Sequence, residues 1–534
     1  MCEGVFLHSN IETPYGTIRT MNGGFYRFNP RTHELERTVQ GHITNPWGLA
    51  HDTWGQAFFL NTSDPATHWM LPFEVKPTYG QMIIGTESII PSDHRVRPTS
   101  GLEFVSSRHF PEEMQGDFIL NNCIGFLGAK QHGIADSGAG YVCEWRQDLF
   151  TSSDPNFRPV ALEFAPDGSL YVVDWHNQLI GHMQHSARDP LRDHAHGRIY
   201  RITHKTRPLV EPFEIAGSSI EQLIAGLNSP EDRTRYRIRN KLRGRSKEDV
   251  LAALSEWTKN LDTESANYEK LLLEALWINW GFESLDLDLL KKLLRAKSHQ
   301  VRAAAVRALR YNSESIPNYV SLLLEAANDS HPRVRLETII AASRIDENSS
   351  QAIVEQAARS ELDPWMRRAY EQALVNLGGK PTYAEAKGDA APGHLDDKDK
   401  ELWTKGAEIY RRDGYCITCH QADGKGLPAA HFPPLAGTDW VTGNPGRLID
   451  VTLHGLLGPI TVNEKRYQGH VPMTPFKDLL DDEELAAVLT YIRNAFGNQA
   501  APISIDQVQA VRASSANKSG FWTEEELNKK YQAN

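Results

Sequence analysis

The run Cys416-Ile417-Thr418-Cys419-His420 decides how the C-terminal part of this chain is read. C-x-x-C-H is the spacing at which haem is attached covalently. Each thiol has room for one thioether bond to the macrocycle. The histidine that follows then sits beside the ring, where it can ligate iron. The competing readings are a chance C-x-x-C beside a histidine and half of a zinc site.

The flanking residues fit a flat apolar cofactor. Leu402, Trp403, Ile409 and Tyr410 share one face at helical spacing, with Gly414 closing the segment. Gly424, Gly426 and Pro428 mark a tight loop, and Pro433-Pro434-Leu435-Ala436-Gly437 is a stiff apolar stretch suited to a ring edge. A second helix is expected from Asp481 to about Phe496. Its acidic start, Asp481 to Glu484, suits a helix N-terminus, and Leu485, Val488, Leu489 and Ile492 form an apolar stripe. A second axial ligand is also expected, and methionine in that role raises the potential. Met473, in Val471-Pro472-Met473-Thr474-Pro475-Phe476, is held between prolines, and no methionine follows it. Its rivals are His431, His454 and His470; its bland alternative is a core gap-filler.

On these motifs, residues 400–498 resemble a class I cytochrome c domain. The C-x-x-C-H run, the Pro-Pro-Leu-Ala-Gly segment, the Met-x-Pro-Phe loop and the acidic helix ending Tyr491-Ile492-Arg493 carry the resemblance. It implies one covalent haem c on Cys416 and Cys419, with His420 and Met473 on the iron. It also implies that the carbonyl of Pro434 accepts from Nδ1 of His420 and orients the ring.

A chain of 534 residues is expected to hold several domains. Its net charge of −11 argues against broad nucleic-acid or anionic-membrane binding. No apolar run is long enough for a transmembrane segment. Met1 to Phe6 lacks the basic start and apolar core of a signal peptide, whereas covalent haem calls for export. Upstream sequence carrying that signal is therefore expected. Cys123 and Cys143 are read either as a disulfide in an oxidising compartment or as buried thiols.

Three regions and a tail follow from the changing period. Residues 1–205 read as short strands between turn residues, among them Phe25 to Phe28, Ala57 to Leu60 and Gly168 to Asp174, with a hairpin at Pro166-Asp167-Gly168. At about 40–50 residues per blade, this is room for a partial β-propeller whose first blades are expected upstream. Residues 206–380 carry helical starts at Val301-Arg302, Val334-Arg335 and Met366-Arg367, spaced 33 and 32 residues apart, with an earlier copy at Ile238-Arg239. His331-Pro332, Asp363-Pro364 and Ser229-Pro230 supply cap signals, and the whole reads as a HEAT-like solenoid. Residues 381–399, including Gly388 and the charged run Asp396 to Asp399, read as a linker. Residues 499–534 read as a tail with one short helix, capped by Thr523-Glu524-Glu525-Glu526 and stapled down by Trp522. The fold class is multidomain: partial all-β propeller, α-helical solenoid, all-α cytochrome c domain.

The densest polar cluster is His182, His185, Arg188, Asp189, Arg192, Asp193, His194, His196 and Arg198, with Asp174, Trp175, His176 and Asn177 upstream. Such a set could bind a cation, orient a quinone cofactor or take a proton from an alcohol. The plainer reading is a set of polar loops with Arg/Asp ties.

The order of the parts resembles the PVC-type haem-binding membrane-bound dehydrogenase family. Glu12-Thr13-Pro14-Tyr15-Gly16, Asn45-Pro46-Trp47-Gly48, Phe157-Arg158-Pro159-Val160, Tyr171 to Asn177 and Arg188 to Arg198 carry this likeness. It implies electron transfer through haem c in a periplasmic or extracytoplasmic dehydrogenase acting on a sugar or alcohol. Pyrroloquinoline quinone and Ca2+ would sit in the propeller, and a redox protein or quinone would accept electrons. The alternative is a non-catalytic electron-transfer module that docks a partner or polysaccharide.

Overall fold

A computed structural model describes residues 1–4, 8–21, 23–41, 43, 45–62, 66–79, 88–97, 99–181, 186–378, 390–412, 415–469 and 471–531 of the chain. His182, His185, Gly388, Gly414 and His470 lie outside the described residues.

The N-terminal region is a succession of short antiparallel sheets. Strands β1 (Cys2–Glu3), β4 (Gly24–Phe28) and β5 (Leu35–Gln40) form one, and β2 (His8–Thr13) and β3 (Gly16–Met21) form a hairpin. Next come β6 (Pro46–His51), β7 (Ala57–Asn61) and β8 (Ala66–Trp69), then β9 (Thr99–Phe104) through β10 (Phe118–Asn122), β11 (Gly128–Ser137) and β12 (Gly140–Thr151). The last is β13 (Pro159–Phe164), β14 (Leu170–Asp174) and β15 (Arg198–Ile202). The hairpin expected at Pro166 to Gly168 joins β13 to β14, with Phe164 opposite Leu170. The region is sheet-rich, with up-and-down order within its sheets, and no closed barrel or propeller is shown among the described residues. Cys123 and Cys143 are both buried thiols and are not joined as a disulfide, so the thiol alternative holds.

Helices α1 (Ile220–Ala225), α2 (Asp232–Arg243), α3 (Lys247–Lys259), α4 (Tyr268–Gly281) and α5 (Leu287–Leu293) lead into α6 (His299–Tyr311), α7 (Tyr319–Ala326), α8 (Pro332–Ala342), α9 (Glu347–Ala357) and α10 (Pro364–Asn376). Val301, Val334 and Met366 are each the third residue of their helix, and all three are buried. The arginine that follows explains the repeat. Arg302 donates to the carbonyls of Ala296 and Lys297, and Arg335 to those of Asp329 and Ser330, clamping the loop before each helix. Arg235 does the same with Ser229 and Pro230. The earlier copy is therefore Thr234-Arg235, not Ile238-Arg239, and α2 begins two residues after Pro230 because Glu231 takes the N-cap position.

The sheets and the helical repeats share one apolar core. Phe58, Phe59, Trp69 and Phe118 pack in the same cluster as Leu276, Val306 and Ile340. Each such side chain contributes about 1.5–3 kcal/mol when fully buried. Arginines rivet the seam: Arg333 donates to the carbonyls of Ala139 and Gly140 at 2.7 and 2.6 Å, and Arg310 pairs with Glu74.

The C-terminal part has its own core. Helix α11 (Asp397–Tyr410) packs across the helix Asp482–Asn494, where Gly406 lies so close to the Ala487 carbonyl that any side chain would collide. Trp403 and Tyr410 each pack tilted against Tyr491 beside this crossing, with ring centres 5.0 and 5.1 Å apart. Asp396 caps α11, so the charged run assigned to the linker belongs to the helix: its side chain accepts from the Asp399 amide. The tail also differs from expectation. It forms two helices, Ile505–Ser514 and Glu524–Tyr531, whose Val508 and Leu527 are buried in this core. Thr523 and Glu526 make the expected reciprocal cap, and Trp522 pairs its backbone with Gly455 and Leu457.

Candidate functional site

Cys416 to His420 form a single helical turn, α12, whose three-residue spacing puts both thiols on one side. Both thiols are free. Burial pushes Cys416 up to about 12 and raises Cys419, so neither is a ready thiolate of the redox-active type. Nδ1 of His420 lies 2.9 Å from the carbonyl of Pro433. A carbonyl only accepts, so Nδ1 carries the proton and Nε2 keeps its lone pair for a metal. Burial also lowers the affinity of His420 for a second proton.

The orienting carbonyl is one residue earlier than Pro434. The turn decides this: Leu435 and Ala436 both donate to the Gly424 carbonyl, and Gly426 donates to His420. These bonds wrap the proline segment so that the Pro433 oxygen faces the imidazole. Gly426, at φ +68°, is what lets it come close, since a Cβ there would stand 2.5 Å from that oxygen.

His420 opens onto a cavity of about 810 Å³, lined also by Cys416, Cys419, Pro434, Leu435 and Met473. The Met473 amide donates to the Leu456 carbonyl at 2.8 Å, which anchors the methionine loop along the cavity. Of its rivals, His431 also lines the cavity. His454 is turned away: it is buried and its Nε2 meets Ser515 Oγ at 3.0 Å. Two half-buried thiols, a ring nitrogen with a free lone pair and a thioether around one apolar space fit a covalent haem.

About a third of the lining comes from the N-terminal region. Asn45, Trp47, Arg97, Trp175, Asn177, Asp193 and His196 face the same cavity. The seam continues where Leu427 and Ala430 enter the core of the sheets. Trp47 and Trp175 stand in sequence phrases singled out for family likeness, but no local pattern tied them to His420. Arg97 had no signal at all.

The polar cluster divides. Arg198 bridges Asp174 at 2.6 Å and Asp154 at 2.8 Å, and Arg192 donates to the Leu179 carbonyl, so these tie loops together. Asp189 caps its own turn at the Leu191 amide. His176, Asp193 and His196 converge on one another.

Three family descriptions match consecutive parts of the chain: a domain of unknown function (DUF7133) over residues 4–206, HEAT repeats over 287–375 and cytochrome c over 403–496. A Thermus thermophilus protein described as cytochrome c-552 is 41% identical over 117 residues, which is 20% of this chain and 84% of that protein. The chain belongs to the cytochrome c family. Its cytochrome c domain is also 36% identical over 112 residues to a fructose dehydrogenase cytochrome subunit of Gluconobacter japonicus. A similar match, 36% over 113 residues, is to the cytochrome c subunit of a quinone-dependent alcohol dehydrogenase of Gluconobacter oxydans. Each of these two covers 21% of this chain and 22% of the relative.

No helix among the described residues is long and apolar enough to cross a membrane. Calcium takes six to eight oxygen ligands. The metal-competent cluster of His, Cys, Asp and Glu side chains found among the described residues, His176, Asp193 and His196, carries two imidazoles and one carboxylate instead.

Proposed function

We propose that this chain is an extracytoplasmic electron-transfer protein that carries one haem c and serves a sugar or alcohol dehydrogenase reaction. Cys416 and Cys419 would hold the macrocycle, and His420 and Met473 would ligate its iron. The haem supplies one-electron transfer. The chain supplies the rest: Pro433 holds the His420 proton at Nδ1, the proline-flanked loop holds the Met473 sulfur, and the apolar walls exclude water.

One observation carries the link to a dehydrogenase. The cavity of His420 and Met473 is walled on its other side by the N-terminal sheets, through Trp47, Arg97 and Trp175. A donor bound against those loops would reach the haem edge without leaving the protein. The N-terminal region is read as part of a propeller, with the haem as the electron exit toward a redox protein or quinone. The likeness to cytochrome subunits of fructose and alcohol dehydrogenases supports this reading.

The test is optical. Protein exported with a haem-attachment system should keep its haem after denaturation. With pyrroloquinoline quinone added to take the electron pair from the substrate and pass the electrons on singly, its oxidised spectrum should turn to the reduced one on adding a sugar or alcohol. Haem lost on denaturation would overturn the cofactor assignment. A haem that no sugar or alcohol reduces would leave an electron-transfer module that only docks partners.

A further inference from the structure

We propose that His176, Asp193 and His196 bind a first-row divalent transition cation at the N-terminal wall of the haem cavity. His176 Nε2 lies 3.4 Å from Asp193 Oδ2, and His196 Nδ1 lies 2.8 Å from the same oxygen. One ligand atom from each residue falls within 4.8 Å of the others. Around a cation with bonds of about 2.0–2.2 Å, neighbouring ligand atoms sit about 3–3.6 Å apart, depending on the geometry. The three side chains therefore stand near ligating positions already.

The frame beneath them is fixed. Asp174 accepts from the His176 amide at 2.8 Å and from the Arg158 amide at 2.7 Å. Asn177 holds the Asp193 carbonyl at 3.0 Å, while Asp193 Oδ1 accepts from the Ala195 and His196 amides. His176 adopts a left-handed backbone at φ +54°, a conformation that a residue other than glycine keeps only when its surroundings hold it there. Its Nδ1 is buried without a hydrogen-bond partner, and its Nε2 faces the carboxylate.

Donor chemistry names the ion class. Two imidazoles and one carboxylate suit zinc, iron, cobalt, nickel or copper, whereas calcium and magnesium want oxygen. Three protein ligands leave coordination positions open. Asp193 and His196 line the haem cavity together with Trp175, Asn177 and Arg192, so those positions face the space in which a small oxygen-bearing molecule would sit. This inference stands apart from the haem assignment, because it rests on different residues and a different readout.

The experiment uses the untagged, haem-loaded full chain, stripped with a chelator and dialysed against zinc, cobalt(II) or calcium. Metal per haem is read by elemental analysis. One equivalent of zinc or cobalt and none of calcium is expected. His196, 71% exposed, can be replaced without disturbing packing. His196→Ala and Asp193→Asn should each weaken binding at least about tenfold, while His194→Ala, altering a neighbour on the same wall, should not. Azide should shift the cobalt spectrum if a position is open. No stoichiometric zinc or cobalt, or binding that survives both His196→Ala and Asp193→Asn, would overturn the site and leave the three residues as plain ion pairs. Haem content, measured on the same samples, is untouched by either outcome.

Discussion

Nδ1 of His420 and the main-chain oxygen of Pro433 meet at 2.9 Å, and this contact joins the haem-attachment turn to the proline segment. It fixes the tautomer and the ring plane together. It depends on Gly426, which does not line the cavity and whose missing side chain leaves room for the oxygen.

Gly426→Ala should therefore loosen the iron ligand while leaving both cysteines intact. The added Cβ meets Pro433 O, and the positive φ adds strain on the order of 1–3 kcal/mol. Haem should remain covalently attached, but the reduced protein should bind carbon monoxide and its midpoint potential should move. An unchanged potential and no carbon monoxide binding would show that the Pro433 contact is dispensable.

Much of this site was legible because covalent chemistry dictates spacing. Cys416, Cys419 and His420 stand together in sequence for the same reason that they stand together on one turn. The acidic start at Asp481 and the cap at Thr523 were readable because a helix N-terminus needs local acceptors. The choice between Pro433 and Pro434 was not readable. It turns on hydrogen bonds from Leu435 and Ala436 back to Gly424, which no composition rule registers. The N-terminal wall was hidden for another reason: Arg97 and Cys419 are more than three hundred residues apart, and only tertiary packing brings them to one cavity.

Met473→Ala should open the second axial position. The covalent haem should stay, the iron–sulfur absorption should vanish, and the potential should fall, since methionine ligation raises it. His431→Ala is the discriminating control, because His431 lines the same cavity. If that variant rather than Met473→Ala changes the spectrum, the axial ligand is the histidine.

Arg307 holds the seam between repeats and sheets. It pairs with Glu337 at 2.7 Å and donates to the carbonyl of Gly55. Glu337 is fully buried. Arg307→Ala strands that carboxylate and should cost about 3–5 kcal/mol in denaturant unfolding. Arg295→Ala, which breaks the solvent-exposed pair with Glu325, should cost less than about 1 kcal/mol. Equal costs would mean that the seam is not set by this buried pair.

His132 should make the sheets acid-sensitive. It is fully buried, neither ring nitrogen has a hydrogen-bond partner, and burial holds its pKa down to about 4 from 6.5. The folded state thus resists a proton that the unfolded chain accepts. Its neutral form is fully compatible with folding above pH 6.5, and stability should drain away as pH falls from 6.5 toward 4. The loss attributable to this residue is up to about 3 kcal/mol. His132→Leu should leave stability at pH 7 within about 1 kcal/mol, since it removes two unsatisfied buried groups along with the imidazole. Below pH 6.5 the variant should become the more stable protein; parallel acid limbs for the two would remove His132 as the cause.

Arg97 tests whether the two walls of the cavity work as one site. It is a buried cation from the N-terminal region that lines the cavity and acts electrostatically on Cys419. A fixed positive charge disfavours the oxidised, more positive iron and so raises the potential. Arg97→Gln should lower the midpoint potential by an interaction on the order of 1 kcal/mol, screened little by salt because the group is buried. Lys425→Gln, altering an exposed cation on the cytochrome c domain itself, should shift it less and lose even that shift at high ionic strength. A potential unmoved by Arg97→Gln would mean that the sheets shape the cavity without tuning the iron.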